Sequence, residues 1–383
     1  MREYILIHYD LDNQRNKSLL LNQLGPKILI TGSKNCGELS FCHMLINYSL
    51  RLGWTPIYCD LDLDNEISIP GSIAATVIDS TITNDFLIDN SVILYNGTKN
   101  ENINYYLYES QICEMARICN CKLQYDLAEH KRRLNISDDD NDNDSSNNTL
   151  NAFVNCELPT LFASGMIVKC PLIEINSKDK NIYQTIIKEF DIDYVYVIDN
   201  ERLKNDISNF CKGNANANKK VHVMLLSKLN GCEQDIQNIE RERMNNYFQG
   251  PFQNFKINEI KVDLSQYKLL QVTSSNVSSS ILPIGKSSDL KLVIRQYNID
   301  DENLMNRILA IISLDEQTIN ELDLYFEKKS VNTYVDLLSK ASVLYFAEIK
   351  KVDNKNNTIT ICGPCVELPH KYLIIGDLKY SHY

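Results

Sequence analysis

The stretch "KILITGSKNCGELSFCHML", Lys27 to Leu45, decides the fold. An apolar run typical of a buried strand leads into Gly32 and Gly37, and a helical pattern follows. This is the frame of a phosphate-binding loop, G-x-x-x-x-G-K-[ST], in which backbone N–H groups and the positive helix end hold phosphate oxygens. Glu38 stands where the Lys belongs, and Leu39 stands where the Ser or Thr belongs.

These replacements remove the side-chain chemistry of the loop. The Lys normally reaches the β and γ phosphates, and the hydroxyl holds Mg²⁺. A carboxylate 4–5 Å from a phosphate charge costs about 3–4 kcal/mol per charge pair at an effective dielectric near 20. Ser40 offers a hydroxyl one position late, about 100° around the helix. Lys34 either reaches a phosphate or faces solvent. The degenerate nucleotide site therefore comprises Gly32, Ser33, Lys34, Asn35, Cys36, Gly37, Glu38, Leu39 and Ser40.

A second motif, "YCDLDLDNEISIPG", runs from Tyr58 to Gly71. The pattern predicts that Asp62 ends an apolar strand, where a Walker-B carboxylate holds Mg²⁺ through water. Asp60 and Asp64 lie close by in the sequence. A strand that ends in solvated acids has the same pattern. Asp62 is therefore predicted to bind magnesium only if a nucleotide is bound.

Composition narrows the class of protein. The chain has 383 residues, 44% apolar and 23% charged, as expected for two or three globular domains. Its net charge of -11 argues against RNA binding as the main task, because such proteins need a basic face. The apolar stretches are far shorter than the roughly 20 residues of a membrane span. The N-terminus shows no secretory signal pattern, so we expect a soluble intracellular protein.

The cysteines and histidines predict no metal centre. Twelve cysteines are scattered along the chain, and the one CxxC pair is Cys362–Cys365. No second pair follows at zinc-site spacing, and the six histidines are dispersed. Reduced structural thiols in a cytosolic or nuclear protein explain this pattern.

Strand and helix patterns alternate over residues 25–262, which predicts an α/β domain with a P-loop NTPase-like, doubly wound and mostly parallel sheet. The acidic, polar segment at about 135–151 is predicted to be a disordered insertion. The predicted strands are 27–31, 56–62, 91–95, 160–164, 194–199 and 221–226. The predicted helices are about 39–52, 103–122, 181–190, 200–210 and 233–248.

Beyond about residue 260 the patterns become strand-rich. Residues 263–383 are predicted to form a small β-rich (α+β) C-terminal domain. The segment "VDNKNNTI" is predicted to be a hairpin connection, and a short helical pattern lies near 303–313.

These pieces carry a family resemblance. "GPKILITG" and "NYSLRLGWTPIYCDLDLDNEISIPG", followed by "ERERMNNYFQG", "ILPIG" and "ASVLYFAEIKKVDNKNNTITICGP", resemble the eukaryotic polynucleotide 5′-hydroxyl kinase family. The resemblance is to its mRNA 3′-end-processing branch, the Clp-type subunit of cleavage factor IA/II. It runs in order from about Glu3 to the C-terminus. The family has an N-terminal β domain, a central kinase-like domain and a C-terminal domain, so residues 1–24 resemble a remnant or linker of the N-terminal domain.

The resemblance assigns catalytic positions around the loop. Glu38 matches the Lys that contacts the transferred phosphate in active members, and Leu39 matches their magnesium-binding Ser or Thr. Asp62 matches the strand-end acid. Asn65 stands, with a one-residue gap, at the Gln of a "DVGQ"-like turn.

The RNA clasp and the lid also depart from the family pattern. Met166 stands at the aromatic clasp position, where a Trp should stack on RNA. In the lid "IERERMNNYFQG", Arg243 matches one of two family arginines. Glu240 stands at the other, with Arg241 beside it.

Phosphoryl transfer depends on positioning and charge neutralisation, so these losses should remove several kcal/mol of transition-state stabilisation. We expect no catalytic residues; Asp62 and Arg243 are vestigial, and ATP and Mg²⁺ bind weakly or not at all. The resemblance then implies a nuclear, non-catalytic scaffold subunit of the pre-mRNA cleavage and polyadenylation machinery. Its implied partners are the cleavage-factor subunit that binds the RNA polymerase II tail and other 3′-end-processing factors, with RNA contacted indirectly and no membrane.

Two alternatives remain open at this point. The first is an ATP-dependent polynucleotide 5′-hydroxyl kinase acting on RNA, in which Lys34 or another lysine replaces the missing one. The second is a nucleotide sensor that binds ATP without turnover.

Overall fold

The structure is a computed structural model. It describes residues 2–33, 35–64, 67–79, 91–99, 103–134, 161–171, 180–213, 220–228, 236–249, 257–274, 292–299, 304–328, 334–364 and 367–380. The predicted insertion at 135–151 lies outside the described residues. No helix in the described ranges is long and apolar enough to cross a membrane.

The described elements alternate along the first part of the chain and become strand-rich in the last part. The helices are α1 (Arg2–Leu20), α2 (Glu38–Arg51), α3 (Tyr105–Arg133), α4 (Leu161–Ser164), α5 (Lys180–Glu189), α6 (Glu201–Gly213), α7 (Ile236–Gln249), α8 (Glu316–Lys328) and α9 (Tyr334–Lys340). The strands are β1 (Lys27–Gly32), β2 (Ile57–Asp60), β3 (Ser72–Val77), β4 (Ser91–Tyr95), β5 (Met166–Lys169), β6 (Tyr194–Ile198), β7 (His222–Leu226), β8 (Asn258–Asp263), β9 (Lys268–Ser274), β10 (Leu292–Tyr297), β11 (Arg307–Ile312), β12 (Val343–Asp353), β13 (Thr358–Gly363) and β14 (Tyr372–Lys379).

The first sheet has the strand order β4-β3-β2-β5-β1-β6-β7. The pairs β2–β5, β5–β1, β1–β6 and β6–β7 are all parallel. All six residues of β1 are buried, as expected for a parallel strand covered on both faces. The predicted doubly wound, mostly parallel sheet is therefore confirmed, with the loop after β1 at the carboxyl edge where such sheets bind ligands.

The second sheet has the order β10-β9-β14-β11-β12-β13-β8. Its pairs are antiparallel except for β14 with β9. The predicted hairpin joins β12 to β13, with Asp353 opposite Thr358. Inward-facing residues such as Val262, Leu309 and Ile361 form its hydrophobic core. The predicted β-rich C-terminal domain is confirmed.

The chain divides into two compact units. The first contains residues 1–61, 75–91 and 115–234, and the second contains residues 62–74, 92–114 and 235–383.

The first helix, α1, is anchored within the first unit by side chains. The hydroxyl of Tyr4 donates to the carbonyl of Ser227 at 2.5 Å, and the Tyr4 ring meets Phe41 edge-on at 4.7 Å. The buried guanidinium of Arg15 donates from Nε to the carbonyl of Ser164 at 2.9 Å, and burial lowers its pKa to about 10. These residues are thus packed into the first unit.

Two predicted elements have the wrong type. The predicted strand at 160–164 is the single helical turn α4, and the strand starts afterwards, because Gly165 has φ +74° and packs against the backbone of Pro26. The helical pattern near 303–313 is the central strand β11, buried from Ile308 to Ile312. A short, continuous apolar run looks alike in a buried helix and a buried strand. The elements α1, β3, β5, α8 and α9 were not predicted.

Candidate functional site

The two glycines of the predicted loop are in the positions that a phosphate-binding loop needs. Gly32 ends β1, where a Cβ would come within 2.5 Å of the Cys36 sulphur and 2.6 Å of the Ile198 carbonyl oxygen. Gly37 has φ +93° and stands at the N-cap of α2. Both positions therefore favour glycine, for space at the first and for backbone conformation at the second. Lys34 lies outside the described residues.

Hydrogen bonds within the loop use groups that could otherwise face a ligand. The Ser33 N–H donates to the carbonyl of Ile198 at 3.1 Å, and the Ser33 hydroxyl donates to the carbonyl of Asp199 at 2.9 Å. The Cys36 N–H donates to the carbonyl of Ser33 at 3.2 Å. Asn35 lies between them with φ +58°. The loop is thus tied to the end of β6 and to itself.

Glu38 is the first residue of α2 and has a partner inside the loop. The Cys36 thiol donates to Oε2 of Glu38 at 2.9 Å. Burial, together with this hydrogen bond, raises the pKa of the Cys36 thiol, so the thiol stays protonated and remains a donor. A carboxylate in the first turn also interacts favourably with the helix dipole. The anionic side chain at the lysine position is therefore stabilised locally. Leu39 and Ser40 follow it, both half-buried.

The strand β2 ends at Asp60, two residues earlier than predicted. Its carboxylate oxygen Oδ2 accepts a hydrogen bond from Nζ of Lys169, the last residue of β5, at 3.3 Å. The side chains are 0% and 5% exposed, respectively. Sequence reasoning did not single out Lys169; the available signal was a lysine that ends the apolar run "MIVK".

Asp62 follows the strand and is half-buried. Its Oδ1 accepts the N–H of Asp64 at 3.0 Å, which makes a local turn. Asn65 lies outside the described residues. Asp62 and Asp64 fall in the second unit.

The "SIPG" and "NYFQG" segments have packing roles within the second unit. Gly71 has φ +81°, accepts the N–H groups of Asn96 and Gly97 at 2.8 Å each, and leaves no room for a Cβ beside Leu378. The Tyr247 hydroxyl accepts the N–H of Phe346 at 2.9 Å. These segments build the fold, which explains why their sequence is distinctive without visible chemistry.

The structure also shows where the clasp and lid residues lie. Met166 begins β5 and is 1% exposed, in register with Lys27 on one side and Ile57 on the other. It therefore lies in the core rather than at a surface where a base could stack. On α7, Arg243 is half-buried and Arg241 is exposed, while the side chain of Glu240 is outside the description.

Among the described residues, no group of three or more His, Cys, Asp or Glu side chains could hold a metal ion. Cys362 is a buried free thiol, and Cys365 lies outside the description.

Two family models match the chain. The model described as "mRNA cleavage and polyadenylation factor CLP1 P-loop" matches residues 32–136, and "Pre-mRNA cleavage complex II protein Clp1" matches residues 258–382. Together they cover more than half of the 383 residues. The chain belongs to the Clp1 family. The resemblance drawn from the sequence is therefore confirmed.

Relatives and solved structures named for Clp1 align over nearly the whole chain. Polyribonucleotide 5′-hydroxyl-kinase Clp1 of Homo sapiens is 24% identical, with 98% of this chain and 77% of that protein covered. The protein of the same name from Xenopus tropicalis is 23% identical, with coverage of 98% and 76%. A structure of the Clp1p–Pcf11p interface, which also concerns ATP loss in a point mutant, matches with a TM-score of 0.68 at 19% identity. It covers 99% of this chain and 80% of that one. This structural match shows a shared fold.

Proposed function

We propose that the chain is a non-catalytic scaffold subunit of the pre-mRNA 3′-end cleavage and polyadenylation machinery. One observation carries the proposal: the phosphate-binding frame persists, while Glu38 occupies the place of its lysine and accepts a hydrogen bond from Cys36. A structural role requires only the folded loop and helix, whereas catalysis also requires the reactive side chains.

The catalytic deficit follows from charge. An enzyme that transfers a phosphoryl group needs a cation at the β and γ phosphates and a metal held by a hydroxyl and a carboxylate. In this chain Glu38 is anionic and Leu39 has no hydroxyl. Losing both contributions corresponds to many powers of ten in rate. ATP therefore binds weakly or not at all, and Asp62 is a magnesium ligand only when nucleotide is present.

The proposed partners of the protein are inferred from its family. Clp1p has been solved with Pcf11p, and the matching family model is described as a pre-mRNA cleavage complex protein. We infer that the partner of this chain is the corresponding cleavage-factor subunit, the one that binds the RNA polymerase II tail, together with other 3′-end-processing factors. RNA is then contacted indirectly, and the protein works in the nucleus. The proposed domain boundaries remain 25–262 and 263–383.

A second candidate is a polynucleotide 5′-hydroxyl kinase acting on RNA. The names of the relatives favour it, since the Homo sapiens protein is called a polyribonucleotide 5′-hydroxyl-kinase. It requires Lys34 or another lysine to replace the missing loop lysine.

Transfer of labelled phosphate from ATP to a 5′-hydroxyl RNA oligomer separates the two candidates. The Homo sapiens relative serves as the positive control. The scaffold proposal expects no transfer above background. Turnover that disappears in the Asp62→Ala variant overturns it in favour of the kinase.

A pull-down from nuclear extract, read by mass spectrometry, tests the proposed setting. Recovery of cleavage and polyadenylation factors supports it. Their absence, with the chain shown to be folded by circular dichroism, contradicts it.

A further inference from the structure

A buried ion pair lies beside the strand that leads into the degenerate loop. Asp60 on β2 is in register with Lys169 on β5, and Lys169 is in register with Ile30 on β1. These three neighbouring strands are parallel, and Ile30 lies two residues before Gly32. The ammonium of Lys169 is bonded to Asp60 at 3.3 Å near the carboxyl edge of the sheet.

The register also places the pair on one face of the sheet. Ile30 is in register with Tyr196 on β6, whose ring meets Phe41 of α2 edge-on at 5.8 Å. Neighbouring residues in register point to the same face of a sheet, and successive residues point to opposite faces. Thr31 accordingly points to the other face, where its hydroxyl lies 3.5 Å from that of Tyr183. Asp60 and Lys169 therefore point to the face that α2 covers, the helix that starts at the loop.

The fold family implies Mg²⁺ between a strand-end carboxylate and the first turn of this helix. Asp60, the carboxylate that ends β2 in the structure, does not fit that ion without displacement of its partner. Magnesium needs oxygen ligands and keeps several waters. The Asp60 carboxylate is fully buried and already holds an ammonium, and the loop offers Leu39 where a hydroxyl is needed.

We propose that Lys169 is the resident cation of this site: its ammonium neutralises Asp60 in place of a divalent metal ion. The chain thereby keeps Asp60, at the end of β2, neutralised without metal or nucleotide. This inference rests on the proposed non-catalytic function, and its test uses neither nucleotide nor a partner protein.

Mn²⁺ binding tests the proposal. The loss of the free-ion signal in electron paramagnetic resonance measures how much Mn²⁺ is bound. Replacing the lysine in Lys169→Ala removes the ammonium from beside the Asp60 carboxylate. We expect this variant to bind one Mn²⁺ per chain more than the wild type. The added ion should be lost again in Asp60→Asn/Lys169→Ala.

The chain provides a matched control. Lys27 also lies in the first sheet and is 4% exposed, but it stands at the opposite end of β1, where Nζ bonds Asn120 and Asp191. Lys27→Ala should bind no additional Mn²⁺. All variants keep the acidic segment at 135–151, so any Mn²⁺ bound there cancels in the comparison.

A folded Lys169→Ala variant with no additional Mn²⁺, or an equal gain in Lys27→Ala, overturns the proposal. If Lys169→Ala does not fold, the wild type is compared with Asp60→Asn/Lys169→Met, which removes both charges of this pair. Equal Mn²⁺ binding supports the proposal, and an additional ion in the wild type overturns it. Metal bound at Asp60 in the wild type, without phosphate transfer to RNA, would contradict this inference alone. Phosphate transfer by the wild type, without metal at Asp60, would contradict the proposed function alone.

Discussion

The thiol of Cys36 donates a hydrogen bond to the carboxylate of Glu38 across 2.9 Å, within the loop that should hold phosphate. The bond joins the last residue before Gly37 to the first residue of α2. Because the thiol is a neutral donor, it satisfies the carboxylate without cancelling its charge. The loop is therefore folded while its lysine position carries an anionic side chain.

The first prediction concerns thiol reactivity. Burial and the bond to Glu38 raise the pKa of the Cys36 thiol, and thiolate is the reactive form. With iodoacetamide near pH 8, Cys36 should be alkylated at least about 10-fold more slowly than Cys121, which is exposed. Mass spectrometry of a time course measures both rates in one sample. Equal rates would mean that the Cys36 thiol is neither buried nor bonded as described.

The second prediction concerns the stability of the buried ion pair. Lys169→Met and Asp60→Asn should each lower the free energy of unfolding by about 3–5 kcal/mol, because the remaining buried charge loses the opposite charge beside it. The double variant should recover most of that loss. Urea denaturation measures all three. As a control, Arg132→Met, which breaks an exposed pair with Glu129, should have almost no effect. Additive losses in the double variant would show that the pair is not coupled.

The third prediction concerns pH. The ring of His370 lies between the carbonyl of Ile312, 2.7 Å from Nε2, and the N–H of Tyr372, which donates to Nδ1 at 3.2 Å. Burial lowers the pKa of His370 below its usual 6.5, so the folded chain binds the proton less well than the unfolded chain. This contribution to stability is complete above about pH 6.5 and is lost as the pH falls through that value and through the lower folded pKa.

Urea unfolding at about pH 7.5 and pH 5.5 measures this effect. The wild type should lose more stability on acidification than His370→Gln does. Burial also lowers the pKa values of His8 and His130, so part of the loss remains in that variant. The exposed His222, changed to Gln, is the control and should leave the pH dependence as in the wild type. An unchanged pH dependence in His370→Gln would contradict the account.

The fourth prediction concerns the "SIPG" turn. Gly71→Ala adds a Cβ at φ +81° and against Leu378, so it should cost about 1–3 kcal/mol of unfolding free energy or more. Gly53→Ala has nearly the same backbone angle, φ +86°, at an exposed position. Thermal unfolding of the two variants separates backbone strain from packing. Equal losses would mean that the Leu378 contact contributes nothing.

The sequence predicted the elements that are defined locally. The strand β1, its two glycines and helix α2 follow one another within 25 residues, 27–51, and their patterns are unambiguous. The wrong assignments at 160–164 and 303–313 are short apolar runs in which helix and strand look alike. The polar helix α1 has no continuous apolar stripe, since Arg15 completes its buried face.

The pair of Asp60 and Lys169 could not be read from the sequence, because its members are 109 residues apart. Only the strand order, which places β5 between β2 and β1, brings them together. The bond between Cys36 and Glu38 was missed for a different reason. Its residues are two positions apart, but the loop conformation that turns the thiol to the carboxylate has no sequence signature.

Calorimetric titration with Mg²⁺ and ATP tests most directly the claim that Glu38 prevents tight binding of a triphosphate. Glu38→Lys/Leu39→Ser restores the missing side chains, and Glu38→Gln/Leu39→Ala removes the charge without restoring them. The account predicts that the restored variant binds ATP at least about 100-fold more tightly than the wild type, since 3 kcal/mol corresponds to that ratio. The neutral variant should lie between the two. Wild-type binding as tight as that of the restored variant would contradict the account.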